Sequence, residues 1–275
     1  MASTPGTSVA SVFRSLIRHL DEQEWDEVKP KVQPNIDYNG QSLAATVFFA
    51  SESNSLSPGM KLDRKLDTII VNNSSDAIAA RCINRAGSSE STEGSYEFQE
   101  IIFAWFIDNR LARWQSLRDE DGSKPRQHSV HRTPIFTGDS SSRDDQLRLK
   151  ELYKAYINSI NEKTMERDFE HFCQPELEHN GRRLTIAEYI PLISDSHDAI
   201  QSLHFHVEEL LADEETQQIA ARLEFTGTPV REWGGAEPNG KWVKFHENVM
   251  YQLYQGKIAR VWSVIELNVY RQQMS

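Results

Sequence analysis

The chain has 275 residues, 38% of them hydrophobic, and carries 30 basic and 41 acidic residues for a formal net charge of −11. That length fits one large or two ordinary domains, and the acidic balance argues against a nucleic-acid partner because no basic patch offsets it. Two cysteines, Cys82 and Cys173, make neither a CxxC site nor a disulfide framework; no apolar run reaches membrane-spanning length and the start MASTPGTSVASVFRS has no signal-peptide core, so a soluble cytoplasmic protein without a membrane partner is expected.

Taken in order, the chain opens with an amphipathic helix whose apolar stripe is Val12, Phe13, Leu16, Ile17 and Leu20. A second short helix over 25–32 stops before Pro34. A short strand leads to Asn39-Gly40, a turn signal, and a third helix is read over 42–50. Strands follow at 65–71, 77–84, 96–107 and 110–117, rich in β-branched and aromatic residues.

The same series then recurs. A stripe of Leu149, Leu152, Tyr153, Tyr156, Ile157 and Ile160 predicts a helix, and a second covers 165–173 before Pro175. Asn180-Gly181 marks a turn. A helix over 185–194 has Thr185 as N-cap and Glu188 three residues on, a capping box. Strands are expected at 202–211, 217–226, 241–254 and 257–267, the last two forming a hairpin around Gly256. Helices first and a strand meander after is an α+β pattern, a curved antiparallel sheet wrapped over helices.

Self-comparison makes the recurrence explicit. Gln33-Pro-Asn-Ile-Asp-Tyr-Asn-Gly40 matches Gln174-Pro-Glu-Leu-Glu-His-Asn-Gly181, and Ile78-Ala-Ala-Arg81 matches Ile219-Ala-Ala-Arg222, both at an offset of 141. Phe98-Gln-Glu100 matches Phe245-His-Glu247, and Asn109-Arg-Leu-Ala-Arg113 matches Gly256-Lys-Ile-Ala-Arg260, both at 147. The chain therefore divides into a domain at 1–121, a Pro/Ser/Gly-rich linker at 122–146 and a domain at 147–275. Within the linker, Thr133-Pro-Ile-Phe136 is apolar enough to dock on a domain.

In the second copy, Pro175…His179-Asn-Gly181, Ile219-Ala-Ala-Arg-Leu-Glu-Phe-Thr-Gly-Thr228, Gly240-Lys241-x-Val243-x-Phe245-x-Glu247 and Tyr254-x-Gly256-Lys-Ile258…Trp262-x-x-x-Glu266 follow one another. In order and spacing this resembles the SnoaL-like polyketide cyclases of the NTF2-like superfamily. The resemblance covers nearly all of 147–273; the first copy matches mainly through the repeat and is read as a degenerate member. It implies two tandem cone-shaped α+β barrels, each with an apolar pocket, arranged as an intrachain pseudo-dimer in a monomer or homodimer. It also implies an enzyme without a cofactor or metal: a cyclase or isomerase acting on a hydrophobic polyketide-type molecule in natural-product biosynthesis. A dehydratase or epoxide hydrolase of the same superfamily is the alternative, and so is a non-catalytic binding or interaction module, since fold does not fix function.

In the cyclases an acid four residues after a tryptophan on the last strand moves the proton. Glu266 stands there, so the resemblance makes it the catalytic acid/base. By period two it would share its face with Trp262 and Val264, which would raise its pKa by desolvation. His179 is its orienting partner or a satisfied core histidine. Trp262, Tyr251 and Tyr189 are pocket wall or plain core. Glu247, which recurs as Glu100, is a structural carboxylate held by Arg222 or Arg260, or a ligand contact. Arg222, which recurs as Arg81, holds an oxyanion or makes a structural ion pair. A second site in the first copy would use Asp119, Tyr38 and Glu100. His204 and His206 form an HxH, but the alternation of Leu203, Phe205 and Val207 turns them to solvent, and no metal site is expected. The 227–241 loop is a candidate lid.

Overall fold

Each half of the chain folds its helices first and its sheet last. The structure is a computed structural model that describes residues 8–53, 60–72, 76–88, 95–119, 130–134 and 149–275. The chain divides into two compact units, Met1–Thr133 and Pro134–Ser275.

The first unit runs α1 (Val9–Asp21), α2 (Trp25–Val28), a 3-10 turn, β1 (Val32–Tyr38), β2 (Gln41–Ala44) and α3 (Ala45–Ser53). Four long strands follow: β3 (Met60–Asn72), β4 (Ala77–Ser88), β5 (Tyr96–Ile107) and β6 (Arg110–Arg118). The second unit repeats the order with α4 (Leu149–Asn161), α5 (Met165–Phe172), β7 (Cys173–His179), β8 (Arg182–Thr185) and α6 (Ile186–Ala199). Its long strands are β9 (Ile200–Asp213), β10 (Gln218–Pro229), β11 (Val243–Tyr254) and β12 (Lys257–Ile265), and α7 (Leu267–Met274) ends the chain. The sheets are ordered β2-β1-β6-β5-β4-β3 and β8-β7-β12-β11-β10-β9. These are two tandem α+β units of one design.

Three features depart from the sequence reading. The sheets are mixed, because β1 joins β6 and β7 joins β12 in parallel beside an otherwise antiparallel meander. The Asn-Gly turns open short hairpins, so residues 42–44, read as helix, belong to β2. Residues beyond 265 leave the sheet as α7 rather than extending the last strand. Elsewhere local chemistry governs: Thr185 and Glu188 close the expected capping box at the start of α6.

Alternation along the strands separates two faces. The inner face of the second sheet carries Ile219, Ala221, Leu223 and Phe225 on β10, Val243, Phe245, Val249, Tyr251 and Leu253 on β11, and Ile258 and Val261 on β12. Tyr153, Tyr156 and Ile157 of α4 and Phe169 of α5 fill its hollow. Fully burying one such side chain contributes about 1.5–3 kcal/mol. Of the expected linker, 130–134 is described. It is held to the first unit by polar groups: the Thr133 hydroxyl donates to Asp67 at 2.5 Å and Arg81 donates to the His131 carbonyl at 2.9 Å. Ile135 and Phe136, expected to dock there, lie outside the described residues. Among the described residues no helix is long and apolar enough to cross a membrane.

Candidate active site

The strand ladders bring one row of side chains across the inner face of the second sheet: Val207, Leu223, Glu247 and Ile265. A carboxylate in such a row meets a low-dielectric interior. Phe245 and Val249, its neighbours on the same face, are fully buried, yet Glu247 keeps accessible surface, as do Val207 and Ile265. The Ser263 hydroxyl donates to Glu247 Oε1. Among the described residues no cation pairs with this carboxylate. Burial therefore dominates and pushes it up to about 7, with the Ser263 hydrogen bond pulling the other way.

Aromatic residues surround it. Tyr153, Tyr189 and Tyr251 all feel its charge. Tyr153 and Tyr251 have ring centroids 5.2 Å apart, and the Tyr156 and Tyr189 hydroxyls are hydrogen-bonded at 2.9 Å. Burial holds all four phenols above their usual range, so they are neutral donors. His179, at the end of β7, lies with its ring 5.7 Å from that of Tyr189. Desolvation lowers it to about 4, so its imidazole is neutral near pH 7. It is half-buried, and its ring nitrogens make no hydrogen bond among the described residues. The interior thus unites one carboxylate of near-neutral pKa, neutral hydroxyl donors and a neutral imidazole.

Glu247, Tyr189, Tyr251 and His179 lie together; three other expected members do not. Glu266 stands one residue past β12, as the N-cap of α7, outside the interior. It accepts from the His246 imidazole at 2.8 Å and the His246 backbone at 3.1 Å. It stays on the face of Trp262 and His246, which is turned away from Val261 and Tyr251. Trp262 pairs with Met250 on the opposite face from Val261 and Tyr251. Arg222 is on that opposite face too, donating to Glu208 at 2.9 Å and Asn248 at 3.0 Å. The expected partners of Glu247 are engaged elsewhere, Arg222 with Glu208 and Arg260 with Glu178. His204 and His206 are exposed. The 227–241 loop is anchored at the Phe245 end: Trp233 sits 5.7 Å from Phe245 and 5.1 Å from Tyr270, and Arg271 donates to Gly234 O at 2.6 Å.

The first unit builds the same row as Leu66, Cys82, Glu100 and Arg118. Its Glu100 is fully buried and accepts from Arg118 at 3.0 Å, Arg64 at 3.4 Å and Asn84 at 2.7 Å. Burial would raise this carboxyl, but the two guanidiniums and the amide outweigh it and hold Glu100 below its ordinary value. Arg64 also pairs with Glu52 and, at 2.5 Å, with Asp21. Tyr38 donates to Glu52 at 3.0 Å. Glu100 and Tyr38, expected as a second site, are therefore members of a buried ion network. Asp119 lies past β6, its N–H donating to Gln99 O at 2.9 Å, as Glu266 donates to His246 O at 2.8 Å. Both are strand-end residues.

Residues 150–274 match the family model of SnoaL-like polyketide cyclases. The chain belongs, through its second unit, to the SnoaL-like polyketide cyclase family. A SnoaL-like polyketide cyclase from Agrobacterium tumefaciens is 33% identical over 46% of this chain and 98% of its own, with a TM-score of 0.43. AclR from Streptomyces galilaeus is 20% identical over 48% and 97%, with a TM-score of 0.41. TsrD from Streptomyces laurentii is 19% identical over 46% and 94%, with a TM-score of 0.42. The comparison with curated proteins gives no match. Sequence reasoning took Glu247 as structural because it is repeated. The signal that would have exposed it was the partners, since the residues that neutralise Glu100 are not repeated.

Proposed function

We propose that the second unit is an acid/base enzyme of this family, a cyclase or isomerase that needs no cofactor and acts on a hydrophobic carbonyl compound of polyketide type. Glu247 is its general acid/base, in place of Glu266. The observation that carries this reading is a carboxylate on the apolar inner face, without a cation among the described residues and raised to about 7. Such a group has a pKa near working pH, where proton transfer in both directions is most effective.

Ionised Glu247 takes a proton from the carbon beside a carbonyl. The tyrosine hydroxyls and the neutral His179 supply donors to the enolate oxygen, which stabilises charge as it develops. The carbanion then adds to a second carbonyl, whose π bond breaks to an alkoxide that takes the proton back from the Glu247 acid, or it is reprotonated at another carbon by the same acid. Proton and charge balance within the site. The dehydratase or epoxide hydrolase alternative needs an arginine and a second acid at one pocket, and Arg222 lies across the sheet.

The test uses aryl β-diketones and β-keto esters as probes, with solvent deuterium incorporation at the acidic carbon followed by NMR. Wild type accelerates exchange of a bound probe and Glu247→Gln loses about a hundredfold or more. Glu266→Gln stays within about threefold. Unchanged exchange in Glu247→Gln with an intact fold would sink the assignment.

A further inference from the structure

The two oxygens of Glu247 are not equivalent. Oε1 accepts from the Ser263 hydroxyl, whereas Oε2 accepts no hydrogen bond among the described residues. Ser263 does not choose its own position. Asn180, just past β7, adopts a φ of +46° in the left-handed region that asparagine tolerates better than most residues. That turn swings its amide onto β12. Asn180 Oδ1 accepts from the Ser263 N–H at 2.9 Å and Nδ2 donates to the Ser263 carbonyl at 3.1 Å. The Asn180 N–H donates to Val261 O at 2.9 Å. Three hydrogen bonds thus fix β12 just beyond the last β7 pair, His179 with Val261.

The first unit keeps this scaffold. Asn39, with a φ of +49°, accepts from the Ser116 N–H at 2.8 Å and donates its own N–H to Trp114 O at 2.8 Å. There the donors to Glu100 are Arg118, Arg64 and Asn84. What the shared turn does for chemistry is therefore particular to the second unit.

We propose that Asn180 and Ser263 form a positioning clamp that occupies Glu247 Oε1 and leaves Oε2 as the oxygen that exchanges the proton with the ligand. This rests on the reading of Glu247 as the acid/base group. Neither Asn180 nor Ser263 touches the reacting atoms in this scheme; both act through Glu247. A hydroxyl that donates to a carboxylate favours its charged form, so the clamp also sets the proton affinity of the group it orients. The groups facing Glu247 leave this setting to Ser263. Tyr153 from α4, Tyr189 from α6 and Tyr251 from β11 are neutral throughout, and His179 from β7 is neutral above about pH 4.

The experiment needs no substrate. The full chain is labelled with carboxyl-13C glutamate, the Glu247 signal is assigned by its loss in Glu247→Gln, and it is titrated in wild type, Ser263→Ala, Ser263→Thr and Asn180→Gly. Asn180→Gly keeps the positive φ and removes only the amide. Ser263→Ala raises the Glu247 midpoint by about one pH unit, a tenfold gain in proton affinity, and Ser263→Thr restores it. Asn180→Gly shifts it upward by less. A wild-type midpoint near 7 that Ser263→Ala does not move overturns the clamp and leaves the acid/base reading standing. A wild-type midpoint in the ordinary carboxylate range overturns the acid/base reading itself.

Discussion

Glu100 and Glu247 occupy one position of one repeated unit, yet one is a structural ion and the other an unneutralised carboxylate. The ladders show why. The row beside Glu100 holds Arg64, Asn84 and Phe98, where the row beside Glu247 holds Phe205, Phe225 and Phe245. Across the hairpin, Arg118 faces Glu100 and Ile265 faces Glu247. The helix end follows suit: Asp21 binds both the backbone and the guanidinium of Arg64, while Asn161 binds only the backbone of Phe205. The first unit fills its interior with charge and closes it. The second has carbon at each of the positions that hold Arg64, Asn84 and Arg118, and its carboxylate keeps the Ser263 hydroxyl. The lesson is that in a duplicated fold the chemistry of an acid is set by its neighbours across the sheet, not by its own recurrence.

The comparison can be broken first at the site. Glu247→Gln costs about a hundredfold or more in probe exchange, while Glu100→Gln leaves exchange unchanged and destabilises the first unit instead. Steady-state exchange rates and denaturant unfolding of the same variants separate the two roles.

Next comes the network. Arg64→Met strands Glu52, Glu100 and Asp21 without their shared cation and destabilises the first unit by about 3–5 kcal/mol. Amide hydrogen exchange, read unit by unit, should show the loss confined to residues of the first unit.

The pH dependence should then have opposite signs in the two units. Glu247 is raised from 4.5 to about 7, so its stabilising protonated state is present below pH 4.5 and is lost as pH rises through 7. That amounts to about 3 kcal/mol for the second unit between pH 4 and 9. Glu247→Gln removes the slope. Glu100 is held low, so its contribution is present at neutral pH and lost on acidification. Asp21, raised to about 6 by burial against the pull of Arg64, offsets part of that loss. Unfolding free energies across pH check both signs.

The smallest effect falls on the 227–241 loop of the second unit. Gly234 sits at a φ of +59°, and an added Cβ would lie 3.0 Å from Leu267 and 3.3 Å from Tyr270. Gly234→Ala should cost about 1–2 kcal/mol and loosen this loop from α7. Thermal melting reads the loss.

Much of this was legible in the chain. Helical stripes, Pro stops, Asn-Gly turns and strand alternation depend on neighbours a few residues apart, so the order of elements, the duplication and the α+β class could be read directly. Tyr189, Tyr251, His179 and Glu247 could be named for the same reason. Their roles could not. Glu266 does share the face of Trp262 and Val264, beside His246, but that face is turned away from Val261 and Tyr251, and alternation alone cannot say which face the helices cover. Arg222 was offered as a partner for Glu247 because both recur. Odd and even positions of paired strands put them on opposite faces, which only the register of β10 against β11 fixes.

The sequence by itself determined two copies of one helix-then-sheet unit, because local periodicity and turn chemistry suffice to specify them. Tertiary structure decided which acid has no cation beside it among the described residues. A carboxylate's proton affinity depends on what lies across the sheet and beneath the helices, and local sequence does not show those neighbours: Arg64 and Arg118 for Glu100, Ser263 and three tyrosines for Glu247.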